Sequence, residues 1–109
     1  MKNAILLLLL CVGSVTAKPQ VICAQAQDHI RSYCAGLQEG VEKRWQSLSP
    51  ATQQSTDRLT ITVISGNRRL CLRLQHADGK NYLLSLKPVP ENLKKARHAG
   101  AQDASFVLK

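Results

Sequence analysis

The sequence predicts an α+β fold: one long amphipathic helix packed on a small antiparallel sheet of about three strands. Two observations carry this expectation. Apolar residues recur at helical spacing over residues 28–48, and two later segments alternate with period two on either side of a glycine turn. The chain has 109 residues, which allows one small domain and excludes large catalytic scaffolds such as a TIM barrel.

The N-terminus has the three-part layout of a secretory signal. Met1-Lys2-Asn3 is a short positive start, residues 4–12 are an unbroken apolar run, and Val15-Thr16-Ala17 supplies small residues before Lys18-Pro19. The run is too short to span a bilayer, which needs about 20 residues. Leu10, where a small residue is needed, argues against a lipoprotein anchored through Cys11. The expectation is a cleavable signal over 1–17, a single domain over 18–109, no transmembrane segment, and a periplasmic or secreted location. Pro19 opens either the first turn of a longer helix or a separate arm.

The helix stripe is Ile30, Tyr33, Cys34, Leu37, Val41, Trp45 and Leu48, with Arg31, Gln38, Glu39, Glu42, Lys43 and Gln46 between them to face water. Gly36 and Gly40 share a face. They either admit a neighbouring backbone or are tolerated on an exposed side. Ser49-Pro50 stops the helix, and residues 53–57 form a polar connection. Leu59, Ile61 and Val63 then mark the core face of a β-branched strand. Ser65-Gly66-Asn67 supplies a hairpin turn. Leu70, Leu72 and Leu74 alternate with Arg69, Cys71 and Arg73 in a second strand. Ala77-Asp78-Gly79-Lys80 is another turn. Residues 82–86 are apolar and fit either a third strand or a short helix before Pro88. Residues 91–98 fit a short helix and 104–108 a short terminal strand.

Export gives the cysteines a disulfide reading. Cys23, Cys34 and Cys71 remain after cleavage, so one bond and one odd thiol are expected, and three pairings are open. Cys34–Cys71 would staple helix to sheet. Cys23–Cys34 requires a bend, because eleven helical residues rise about 16 Å whereas a disulfide needs Cα atoms within about 7 Å. His29, His76 and His98 stand apart and no zinc spacing occurs, so no metal or cofactor is expected.

The helix pattern Ile30-x-x-Tyr33-x-x-x-Leu37-x-x-x-Val41-Glu42-x-Arg44-Trp45, followed by a polar loop, a Leu-Thr-Ile-Thr-Val strand, a glycine turn and a leucine-rich strand, resembles the periplasmic C-terminal domain of TolA, a relative of the TonB C-terminal domain. The resemblance covers residues 28–79. It implies a protein-binding module of the Gram-negative periplasm, whose partners would be Tol-Pal components, colicin translocation segments or filamentous-phage coat domains. Several such contacts add a strand to a sheet edge. The chain departs from the family in two respects. The family has a glycine-rich bend and a second long helix after the hairpin, where residues 81–87 here are short and run into Pro88. The cysteines also do not match the family's disulfide.

Catalytic patterns are weak. No nucleophile turn, P-loop or dinucleotide glycine pattern occurs, so the expectation is a binding protein and not an enzyme. A reactive Cys71 thiolate beside Arg69 and Arg73 is the less favoured reading against a structural disulfide half. Fifteen Lys+Arg against seven Asp+Glu favour acidic partners, although export and the lack of interleaved aromatics argue against nucleic acid. The candidate binding residues are Arg69, Arg73, Tyr82, Leu84 and Leu86, on a free sheet edge and an arginine face. Two other readings fit the same composition. One is a secreted inhibitor of a hydrolase acting through residues 65–68 or 77–81, the other a basic envelope-surface factor.

Overall fold

A computed structural model describes residues 18–24, 27–56, 58–66 and 69–108. The expected signal segment, Gln25, Ala26, Asp57, Asn67, Arg68 and Lys109 lie outside the described residues. In chain order the elements are β1 (Gln20–Cys23), α1 (Asp28–Gln46), α2 (Pro50–Ser55), β2 (Thr60–Ser65), β3 (Leu70–Gln75), β4 (Asn81–Leu86) and α3 (Leu93–Val107). The class is α+β, with a four-stranded mixed sheet in the order β1-β2-β3-β4 and three helices.

Two features of the sheet correct the sequence reading. The N-terminal stretch is neither helix nor arm. Gln20 to Cys23 pairs parallel with β2, Val21 opposite Ile61 and Cys23 opposite Val63. Its residues, Gln20-Val21-Ile22-Cys23, do not alternate apolar with polar, so period two does not register. The sheet is therefore mixed, since only β2-β3 and β3-β4 are antiparallel. Residues 81–86 resolve as a strand, with Leu86 opposite Leu70, Leu84 opposite Leu72 and Tyr82 opposite Leu74.

The helices differ from expectation in three places. The predicted polar connection contains α2, a six-residue helix with Pro50 in its first turn and Ser49 as N-cap, the Ser49 hydroxyl accepting from the Thr52 amide. The predicted short helix at 91–98 runs on to Val107, and the strand expected at 104–108 is its last turns. Its stripe is Ala96, Gly100 and Ala104, all buried, and residues this small leave no hydrophobic period to read. The family resemblance implied a glycine-rich bend and a long helix after the hairpin. Here β4 occupies that place and the 15-residue helix follows residue 90.

One core unites both layers. Ile30, Tyr33, Leu37 and Val41 of α1 meet Ile61, Val63, Leu70, Leu72 and Leu74 of the sheet, with Leu59, Ala96, Ala104 and Leu108. Trp45 is partly buried against this cluster, as the helix stripe expects. Burying each large aliphatic side chain stabilises by about 1.5–3 kcal/mol before entropy.

The glycines of α1 settle as close-approach positions. A Cβ on Gly36 would overlap the Arg97 carbonyl, and one on Gly100 would overlap the Tyr33 carbonyl. A Cβ on Gly40 would lie 2.8 Å from both Ala101 O and Ala104 Cβ. The two helices thus touch backbone to backbone along facing rows of small residues.

Candidate functional site

The two edges of the sheet are built differently, and this contrast locates the candidate site. At β1 the outer edge is closed. The Val21 amide donates to Gln38 Oε1 at 2.9 Å, and Gln38 Nε2 donates to Glu42 at 3.1 Å. Lys18 adds an ion pair to the same Glu42 at 3.0 Å. A disulfide between Cys23 and Cys34, Cα atoms 6.2 Å apart, fixes β1 to α1. Cys23 closes β1 and does not lie on the helix, so the helical rise does not separate the two cysteines. Of the three pairings left open by the sequence the bond is Cys23–Cys34, and among the described residues Cys71 is the free, half-buried thiol.

At β4 the outer edge is open. Among the described residues the strand pairs with β3 alone, and no side chain caps its outer amides as Gln38 caps β1. Tyr82 is 53% and Leu83 66% exposed. An uncapped edge presents unpaired N–H and C=O groups to an incoming chain. Lys80 and Lys87 flank the strand, and charged flanks of this kind disfavour self-association.

The helix layer covers β4 only in part, and a groove of about 920 Å³ opens beside its C-terminal end. Its walls include Leu86 and Lys87 on one side and Phe106 of α3 on the other; Arg69 also lines it, and Tyr33 and Asp103 meet there. The Tyr33 hydroxyl donates to Asp103 Oδ2 at 2.6 Å. Burial, then the hydrogen bond and the charge of Asp103, raise the tyrosine well above the usual phenol range. Burial also raises the Asp103 carboxyl, against the opposing effect of the Tyr33 hydrogen bond. On the outer surface the Arg97 guanidinium grips Glu39 with bonds of 3.1 and 2.7 Å, and holds that carboxyl below its ordinary value.

The structure divides the five sequence-predicted binding residues into two groups. Tyr82, Leu84 and Leu86 lie on the helix side of β4, with Leu84 and Leu86 partly packed on the core. Tyr82 sits edge-on to His76, ring centroids 5.5 Å apart. Arg69 joins Leu86 at the groove. Arg73 is on the opposite, helix-free face of the sheet, in the same row as Ile22, Thr62 and Leu83, so it does not share a surface with the others. Sequence reasoning missed Asp103 and Phe106. Both lie on α3, whose buried row of Ala96, Gly100 and Ala104 is too small to leave a hydrophobic period, so the sequence carries no clear signal for them.

Among the described residues no cluster of His, Cys, Asp or Glu could hold a metal ion, and no helix is long and apolar enough to cross a membrane. No family model matches the chain, and no curated protein or solved structure matches it either.

Proposed function

We propose that this chain is a small exported protein-binding module, resembling the TolA C-terminal domain, that takes an envelope protein as partner by adding the partner's strand to the outer edge of β4. The observation that carries this reading is the asymmetry of the sheet: the Val21 amide of β1 is capped by Gln38 and the strand is held by a disulfide, while among the described residues nothing pairs with the outer side of β4. Strand addition draws affinity from main-chain hydrogen bonds and specificity from alternate side-chain contacts. The basic composition favours an acidic partner. The signal-like N-terminus supports a periplasmic or secreted setting, where Tol-Pal components, a colicin segment or a phage coat domain are the partners the resemblance implies.

The test is capture from an envelope extract followed by hydrogen exchange on the complex. The expected result is slowed exchange at residues 81–86. Protection confined to residues 77–80 would instead favour insertion of that turn into a target cleft, as an inhibitor would do. Binding that collapses entirely with added salt would favour a charge-driven surface factor.

A further inference from the structure

We infer that the groove beside β4 is the anchor pocket for one large apolar side chain of the added strand, and that this residue lies next to an aspartate or glutamate in the partner. The inference rests on the strand-addition reading and narrows it to a partner of stated chemistry.

Three observations carry it. First, groove and edge are continuous: Ser85 and Leu86 form the end of β4 and also line the groove. Side chains alternate across a strand. A chain paired on β4 therefore sends every second side chain to the face that carries Tyr82, Leu84 and Leu86, the face on which the groove opens. Second, the groove carries an apolar part among its polar lining. Phe106 is 52% exposed, and Pro88, Val89 and Pro90 form a further wall. Proline at two of these three positions restricts the backbone, so the wall is preformed. Third, the charges are sorted. Arg69 and Lys87 line the groove, and among the described residues neither forms an ion pair. The one carboxylate in the groove, Asp103, is already engaged by the Tyr33 hydroxyl. An acidic partner residue is repelled from Asp103 and drawn to Arg69 and Lys87, which leaves the apolar residue to enter.

The experiment pans a random dodecapeptide library, displayed on yeast, against the whole chain. The expected enriched peptides carry a large aliphatic or aromatic residue within two positions of Asp or Glu. Replacing that apolar residue by alanine in the peptide, or introducing Phe106→Ser or Lys87→Glu in the protein, should each weaken binding about tenfold or more. The peptide-side change needs no altered protein, so a variant that fails to fold does not decide the result. Enrichment without the apolar–acidic pair, no enrichment, or indifference to all three changes would overturn the inference. Occupancy by laurate at Leu86 and Phe106 with no peptide selected would assign the groove to an amphiphile and overturn it as well. Backbone N-methylation of the peptide separates the two claims. Loss of binding on methylation, with the groove changes harmless, leaves strand addition standing and removes the anchor. Binding that survives methylation but fails with the groove changes removes strand addition.

Discussion

Tyr33 and Asp103, 70 residues apart in the chain, share a 2.6 Å hydrogen bond that ties α1 to α3 in the groove. The phenol must stay protonated to donate. Tyr33→Phe deletes the donor and leaves the carboxyl without it, at a cost of about 1–3 kcal/mol at neutral pH. The folded state holds the Tyr33 proton beyond the pH at which the unfolded chain loses its own, near about 10. The contribution of this group is therefore full below that pH and declines above it. The phenylalanine variant has no such decline. The difference in melting temperature between the two proteins should shrink as pH rises past about 10. A difference that stayed constant or grew would mean that the hydroxyl is not the buried donor.

Gly36→Ala and Gly100→Ala should each destabilise the protein, although alanine is the better helix former by about 1 kcal/mol. The new methyl would meet the Arg97 carbonyl in one case and the Tyr33 carbonyl in the other. Overpacking costs about 1–3 kcal/mol or more when backbone must move. Urea midpoints measure the cost, and faster amide exchange across α3 would show that the helix has shifted. An unchanged or higher midpoint for both would contradict the backbone contact.

Of Cys23, Cys34 and Cys71, only Cys71 should be alkylated in the unreduced, denatured protein, and peptide mapping should recover Cys23 joined to Cys34. Replacing both bonded cysteines by serine should cost about 2–3 kcal/mol for so short a loop. Cys71→Ser should leave the bond intact and shift stability by less than about 1 kcal/mol. Recovery of a peptide pair containing Cys71 would reverse the assignment.

Trp45 is the only tryptophan, so its fluorescence reports on one position. Its indole N–H is buried and has no hydrogen-bond partner among the described residues. Trp45→Ala should cost about 3 kcal/mol, the lower end for an aromatic removed from a core, because the residue is only partly buried. Trp45→Phe keeps most of the packing and removes the unsatisfied donor, so its cost should stay below about 1 kcal/mol. Equal costs for the two variants would place the N–H in a bond the structure does not show.

Much of the fold was legible where large side chains repeat. The stripe from Ile30 to Trp45 and the alternation through Leu59, Ile61, Val63, Leu70, Leu72 and Leu74 predict α1, β2 and β3, because burial of big residues leaves a periodic trace. What escaped were elements held by other means. β1 depends on pairing with β2, on Gln38 and on a disulfide, none of which is periodic. α3 depends on what its core residues lack, since Ala96, Gly100 and Ala104 pack by being small. The candidate site fell between these cases. Tyr82, Leu84 and Leu86 were readable as an apolar segment at an edge, whereas the groove needs α3 and could not be seen until that helix was placed. Arg73 was misgrouped because Arg69 precedes β3 and reaches the groove, while Arg73 lies within β3 on the far face.

The Gln38 bolt on β1 also limits what the molecule can build. A sheet open on both sides can be extended copy after copy, each new chain offering a fresh edge to the next. Here two copies could join only β4 to β4, an arrangement that uses up both free edges and terminates. Any complex formed through this strand should therefore hold a single guest per molecule, and crowding should never yield a growing polymer, since Lys80 and Lys87 oppose even the terminal pair.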